Sequence, residues 1–272
     1  MSDQERPREA MRAAQFAEKA TTRLWHEVPS RENPYVAETL RCHGYDLLEL
    51  MARRSLTDVV FLLYRGELPT AGQSRLLERL AIALINPGPR SPASRAAIAC
   101  GVGRTDPAHI LPAGLMTLEH AHEAEPAIRF LRRHIRLRAD SVAANLLESG
   151  PPAPHQPLWP AAPGFGRNHG SADPWLARAA DDMAALPESG DCLRWGCAFV
   201  RVLETQGIGW LPHGLAAAVL ADLGFPPRSA PGLYQWLRAP GILAHGLEYA
   251  NKAITALPYV DDAHYDIQTD CD

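Results

Sequence analysis

A succession of helix start and stop signals, with almost no strand-like alternation between them, restricts the fold of this chain more than any other feature. Residues 55–58 (SLTD) and 70–73 (TAGQ) resemble capping boxes, in which side chains bind the free backbone N–H groups of a first helical turn. Apolar residues follow both at spacings of three and four, and residues 86–88 (NPG) and 224–227 (GFPP) end helical stretches. Further helices are expected at about 92–100, 106–122, 126–148, 173–186, 191–206, 213–223 and 229–257. The sequence therefore predicts an all-α fold.

A proline-rich segment divides this helical pattern. Residues 149–163 (SGPPAPHQPLWPAAP) cannot form a helix, because each proline lacks a backbone donor and restricts the residue before it. We interpret the segment as a connector between a larger helical body and a smaller helical lobe. The predicted boundaries are an N-terminal extension over 1–40, a large helical domain over 41–162 and 236–272, and a small helical domain over 163–235.

Composition excludes several classes of function. The 272 residues suffice for a substantial core, and a formal net charge of -4 gives no basic surplus for nucleic acid or an anionic membrane surface. The charged N-terminus lacks the apolar region of a secretory signal, and no run of 18 apolar residues occurs. The five cysteines are scattered and form no C-x-x-C pair, so neither a disulfide framework nor a zinc site is indicated. We expect a cytoplasmic protein that binds neither nucleic acid nor membrane.

Four segments in a characteristic order resemble the citrate synthase family, and in particular its short citryl-CoA-lyase-like members. The resemblance covers most of the chain from residue 41 onward. The segments are 41–50 (RCHGYDLLEL) with 62–69 (LLYRGELP), 113–122 (AGLMTLEHAH), 163–166 (PGFG) with 173–174 (DP), and 237–248 (LRAPGILAHGLE). The resemblance implies a citrate-synthase-like helical homodimer that binds an acyl-CoA in a cleft between a large and a small domain.

The resemblance also implies the chemistry and the residues that perform it. In this family an aspartate removes a proton next to a thioester, one histidine stabilises the enol, and a second histidine protonates the acceptor. His122 stands at the first histidine position when counted forward from residues 113–114, whereas counting back from 125–126 selects His120. Arg167 occupies the second histidine position, and His213 occupies the aspartate position. Two of the three catalytic groups are thus exchanged.

The remaining candidate residues concern binding. The resemblance implies that the backbone of Gly164, Phe165 and Gly166 lies near the CoA tail, and glycine permits such an approach because it has no Cβ. Arg238 matches an arginine that holds a carboxylate of the acceptor, and His169 is a candidate acid if its loop turns inward. Arg167 offers several donors to an anion but does not release a proton near neutral pH.

Three functions stay open on the sequence alone. The first is a repurposed enzyme that acts on an acyl thioester, with His122 stabilising an enolate, His213 as base, and Arg167 and Arg238 holding an anionic substrate such as a carboxylate acceptor. The second is a pseudoenzyme that binds an acyl-CoA or organic acid and regulates a partner, and the third is a citryl-CoA lyase with a displaced acid and base. A CoA thioester is expected as substrate, with no tightly bound cofactor. No metal is expected either, because His120 and His122 are two residues apart and point to different faces of a helix.

Overall fold

The computed structural model describes residues 19–148 and 160–258, and the chain divides into two compact units, Met1–Ser55 and Leu56–Asp272. Residues 1–18 of the expected extension and 149–159 of the expected connector lie outside the described residues. The division into large and small helical domains stays a prediction.

The first unit contains a small antiparallel sheet that the sequence did not predict. Its strands are β1 (Trp25–Pro29), β2 (Ala37–Cys42) and β3 (Tyr45–Asp46), and the short helix α1 (Leu47–Arg53) follows. Most residues of β1 are exposed, so this strand has no buried face that would impose an alternating pattern. Asp46 accepts hydrogen bonds from the backbone N–H groups of Leu48 and Glu49 and so starts α1.

The second unit is mainly helical, as predicted. One further three-stranded antiparallel sheet joins β4 (Pro160–Ala162), β5 (Phe165–Gly166) and β6 (Gly209–Trp210). The helices are α2 (Leu56–Arg65), α3 (Ala71–Leu84), α4 (Pro92–Val102), α5 (Pro107–Met116), α6 (Ala124–His134), α7 (Ala139–Glu148), α8 (Pro174–Ala184), α9 (Asp191–Leu203), α10 (Pro212–Asp222) and α11 (Ala230–Tyr249). Within the described ranges, no helix has the length and apolar character required to cross a bilayer.

Local signals predict several boundaries correctly. Thr70 and Gln73 form the expected capping box at α3, with the Gln73 N–H donating to Thr70 Oγ1 at 3.2 Å and the Thr70 N–H to Gln73 Oε1 at 2.9 Å. Gly224 adopts a φ of 77° directly after α10, the left-handed conformation expected of a glycine that closes a helix.

Two predicted helices are interrupted. The helix expected at 106–122 ends at Met116, and His120 has a φ of 58°, which no helix accommodates. The helix expected at 126–148 divides into α6 and α7, where the indole of Trp195 donates to the carbonyl of Leu137 at 2.9 Å. Both breaks depend on contacts or conformations that an apolar repeat does not encode.

Helix α10 lies at the centre of the second unit. Every residue from His213 to Ala221 is buried, and most of them are small or aliphatic, as expected of a helix that is surrounded by others. Its neighbours include α3, α6, α9 and α11. His213 is the polar exception, so the most buried helix carries a titratable side chain near its first turn.

Candidate active site

A cavity of about 410 Å³ opens beside the first turn of α10. Its walls come from the α3–α4 loop and the start of α4, the turn before α6, the loop after β5, the start of α10, and one face of α11. The lining residues are Pro87, Arg90, Ser91, Pro92, Leu118, Glu119, His120, Glu123, Arg167, Asn168, His169, Leu211, Pro212, His213, Tyr234 and Arg238. Five of the residues selected from the sequence therefore line one cavity: His120, Arg167, His169, His213 and Arg238.

His213 is the most perturbed titratable group of this cavity. Its side chain is 1% exposed, and its Nε2 atom is buried with no hydrogen-bond partner in the described structure. Burial lowers the pKa of His213 to about 3, with smaller contributions from His120, His122 and Arg238. The imidazole is therefore neutral at physiological pH and holds an unused polar atom at the cavity wall.

A carboxylate lies close to three imidazoles. Glu123 Oε2 is 3.5 Å from His213 Nε2, and Glu123 Oε1 is 3.3 Å from His120 Nδ1 and 3.9 Å from His122 Nε2. The rings of His120 and His213 are 5.5 Å apart between centroids. Among the described residues, no group of three or more His, Cys, Asp or Glu side chains is arranged to hold a metal ion. Proton exchange and hydrogen bonding are the chemistry that this cluster offers.

Arg238 is buried and largely occupied by protein partners. Its Nη1 donates to the carbonyls of Leu84 at 3.1 Å and Asn86 at 3.2 Å, and its Nε donates to the Tyr234 hydroxyl at 3.4 Å. Burial raises the pKa of Tyr234, so the phenol stays protonated. In the described structure the second terminal nitrogen, Nη2, makes no hydrogen bond and is the part of Arg238 left for a ligand.

The loop after β5 supplies Arg167 and His169. Arg167 is partly buried, and its Nε and Nη2 donate to the carbonyl of Gln206 at 3.3 Å and 2.9 Å. His169 is exposed and has a φ of 52°. This loop continues into a second, more open cavity of about 460 Å³, which shares Pro87, Arg90, Asn168 and His169 with the first. An elongated ligand has room to extend from one into the other.

His122 and His120 lie in different environments. The His122 side chain is 84% exposed and does not line the cavity, whereas His120 lines it with a side chain that is 36% exposed. The left-handed backbone of His120 turns the chain between them, so one imidazole faces the cavity and the other faces solvent. The geometry favours His120 for a role in the site.

Gly164 and Phe165 have packing roles, Gly166 pairs with Gly209 in the sheet, and none of the three lines the cavity. Phe165 is fully buried against Phe199 and Trp210. A Cβ placed on Gly164 would lie 2.8 Å from the Cα of Gly214, and the Gly164 φ of 89° also favours glycine. The contact predicted between this backbone and a CoA tail remains a prediction.

Sequence reasoning missed two residues of the site. Glu123 was not selected from the sequence, although a carboxylate directly after His120-x-His122 is a usable signal. Tyr234 precedes Arg238 by four residues, a spacing that places both on one face of a helix.

Comparison with known proteins shows the fold. No family model matches the sequence, and no curated protein matches it. A citryl-CoA lyase from Hydrogenobacter thermophilus is similar in structure, with a TM-score of 0.72 and 23% identity over 92% of this chain and 94% of that one. An ATP citrate lyase from Methanothrix soehngenii, solved with citrate and coenzyme A, has a TM-score of 0.68 and 14% identity over 94% of this chain and 44% of that one. Citrate synthase from Thermotoga maritima has a TM-score of 0.51 and 12% identity over 97% of each chain. The resemblance predicted from four sequence segments is therefore confirmed for the fold: the chain has a citrate-synthase-like helical fold.

Proposed function

We propose that the chain is an enzyme that forms or breaks a carbon–carbon bond next to a CoA thioester. The observation that carries this proposal is the cavity in which the buried, unpartnered Nε2 of His213 meets Arg167, Arg238 and His120. One structural neighbour is a citryl-CoA lyase and another was solved with citrate and coenzyme A, which supports a CoA thioester as the substrate class.

His213 serves as a neutral hydrogen-bond donor in this proposal. A base whose conjugate acid has a pKa of about 3 is too weak to remove a proton from a carbon acid efficiently. A neutral imidazole in a buried cavity wall, in contrast, can stabilise the charge that develops on a thioester oxygen, because its dipole is fixed before the reaction begins. This assignment replaces the base role that the family position suggests for His213.

The two arginines hold an anionic acceptor. Arg167 lies on the exposed side of the cavity, and Arg238 retains the free Nη2 on the buried side. A carboxylate between them receives charge-assisted hydrogen bonds from both. Because Arg167 keeps its proton, the proton for the acceptor oxygen comes from another group, and His169 is the neighbouring candidate.

The test is turnover with a defined set of substrates. We expect release of free thiol from acetyl-CoA or propionyl-CoA with oxaloacetate, pyruvate or glyoxylate, or cleavage of citryl-CoA to acetyl-CoA. Acyl-CoA should also raise the melting temperature, since a ligand that binds only the native state stabilises it. The proposal fails if no thioester in the set changes the melting temperature and none is consumed.

A second candidate is a pseudoenzyme that binds an acyl-CoA without turnover. The weak basicity of His213 and the permanent charge of Arg167 favour it, because neither replaces the exchanged catalytic group. The same measurements distinguish the two functions: the pseudoenzyme shows the rise in melting temperature and no product. The third function, a citryl-CoA lyase with a displaced acid and base, would give product with citryl-CoA and with no other substrate of the set.

The homodimer and the cytoplasmic location stay predictions. Light scattering on the purified protein measures the mass directly, and a monomer at micromolar concentration would contradict the first.

A further inference from the structure

We propose that Glu123 is the general base of this site, the group that takes the proton from the carbon next to the thioester. The inference rests on the proposed function and deepens it. It assigns the proton acceptor to a residue outside the positions at which the family carries its catalytic groups.

The position of Glu123 suits this role. It ends the 3-10 turn Ala121–Glu123 before α6, its side chain is 27% exposed, and it lines the cavity. Its Oε2 atom lies 3.5 Å from the buried Nε2 of His213, too far for a good hydrogen bond but close enough that one substrate group can contact both. Base and oxyanion donor are thus adjacent, as enolate formation requires.

His120 positions the carboxylate. Its Nδ1 lies 3.3 Å from Glu123 Oε1, so one oxygen is held by an imidazole while the other faces His213. The turn that creates this arrangement depends on the left-handed backbone of His120.

The rival carboxylate of the cavity is Glu119. Among the described residues, Glu119 and Glu123 are the acidic side chains that line it. Glu119 Oε2 accepts a hydrogen bond from the Ser91 hydroxyl at 3.0 Å, and in the part of the chain that the structure describes it forms no ion pair with His213. Glu123 is therefore the better placed of the two.

The proton transfer balances without a co-reactant. A Glu123 oxygen forms a bond to the hydrogen on the carbon next to the thioester carbonyl, and the C–H bond breaks. The released electron pair forms the carbon–carbon double bond of the enolate, and the carbonyl π pair moves onto oxygen. That oxygen accepts a hydrogen bond from the N–H of His213 Nε2. In the reverse direction Glu123 returns the proton to the same carbon.

The experiment measures proton exchange rather than bond formation. Acetyl-CoA and propionyl-CoA are incubated with the protein in D₂O, with and without oxaloacetate, and loss of the proton signal next to the carbonyl is followed by NMR. We expect Glu123→Gln to slow exchange by at least about 100-fold, the lower range for loss of a general base. The matched control is Glu125→Gln, because Glu125 has a 28% exposed side chain paired with Arg129 and does not line the cavity. Its exchange rate should stay within about twofold of wild type.

Two further variants keep the test decisive. Glu123→Asp retains a carboxylate and should exchange at least about tenfold faster than Glu123→Gln, whereas equal rates for both would overturn the proposal. Glu119→Gln should slow exchange less than Glu123→Gln does, and the reverse order would move the base to Glu119. Melting temperatures and circular dichroism verify that each variant is folded.

Failure of the inference and failure of the proposed function are distinguishable. If acyl-CoA raises the melting temperature but Glu123→Gln exchanges within about tenfold of wild type, the base assignment is overturned and thioester binding stands. Binding without any exchange by wild type also overturns the base assignment. If no acyl-CoA raises the melting temperature and wild type catalyses no exchange, both proposals fall.

Discussion

The two walls of the cavity differ in burial and in the freedom of their side chains. The buried wall, His213, Tyr234 and Arg238, belongs to α10 and α11, and its groups are less than a tenth exposed. The outer wall, Arg167 and His169, belongs to the loop after β5 and is partly or fully exposed. Low dielectric strengthens electrostatic effects only on the buried wall. We therefore expect the thioester to be polarised by His213 on the buried wall, and the anionic acceptor to be captured by Arg167 on the outer wall with Arg238 as its second contact.

The largest expected effect tests this division directly. Leucine is similar in size to histidine but donates no hydrogen bond. His213→Leu should therefore lower kcat for thiol release about 10²–10³-fold. Arg167→Met on the outer wall should raise KM for the anionic acceptor and lower kcat less than about tenfold. Steady-state kinetics of both variants measure the contrast. A greater loss of kcat in Arg167→Met would reverse the assignment of the walls.

The next effect concerns the close contact between Gly164, in the segment that leads to Arg167, and Gly214, which follows His213. A Cβ on Gly214 would collide with the carbonyl oxygen of Gly164, so Gly214→Ala should lower the free energy of unfolding by about 3 kcal/mol, the upper range for overpacking. Gly232→Ala is the control: its Cβ meets nothing within 4 Å, so we expect no loss in the free energy of unfolding. Urea denaturation of both measures the difference. Equal stability of the two variants would contradict the close contact.

Substitution of the arginines in the two walls should change the free energy of unfolding by different amounts. Arg238→Lys removes the Nη1 donor that the carbonyls of Leu84 and Asn86 share inside the protein and should cost about 2 kcal/mol. Arg167→Lys should change the free energy of unfolding by less than about 0.5 kcal/mol, which is usual for substitutions at partly exposed sites. The same denaturation experiment applies. A larger loss for Arg167→Lys would show that the outer wall is the structural one.

The smallest effect depends on pH. The pKa of His213 is lowered from 6.5 to about 3, so the unfolded chain takes up a proton below pH 6.5 that the folded protein does not. Stability attributable to this residue is therefore complete above pH 6.5 and is lost as the pH falls from 6.5 towards 3. The free energy of unfolding of wild type relative to His213→Leu should fall by about 1 kcal/mol between pH 7.5 and 5.5. A difference that does not change with pH would contradict the burial of a neutral imidazole.

Local signals account for what the sequence predicted of the fold. The capping box at Thr70 and the closing glycine at Gly224 act through neighbouring residues, so both are visible in the sequence. The break after Met116 depends partly on the Thr117 hydroxyl, which bonds to the Gly114 carbonyl at 3.0 Å and to the Pro92 carbonyl at 3.4 Å. No periodicity encodes such a distant contact, and the exposed strand β1 leaves no apolar pattern to detect.

The residues that line the cavity were predictable only in part, and their chemistry was not predictable. Motif order pointed to Arg167, His213 and Arg238, and the structure places all three on one cavity. The pKa of His213 depends on burial by helices distant in sequence, and the proximity of Glu123 depends on the backbone conformation of His120. Residue identity alone carries neither property, and the catalytic roles stay predictions.

The contact between Gly164 and Gly214 has a consequence for the proposed reaction. The Leu211 N–H also donates to the Gly164 carbonyl at 3.0 Å, so the chain leading to Arg167 and the first turn carrying His213 are fastened to each other. A displacement of one of these two segments would therefore displace the other, so that Arg167 and His213 keep their relative positions. In the proposed reaction, contact with the acceptor and polarisation of the thioester would then change together.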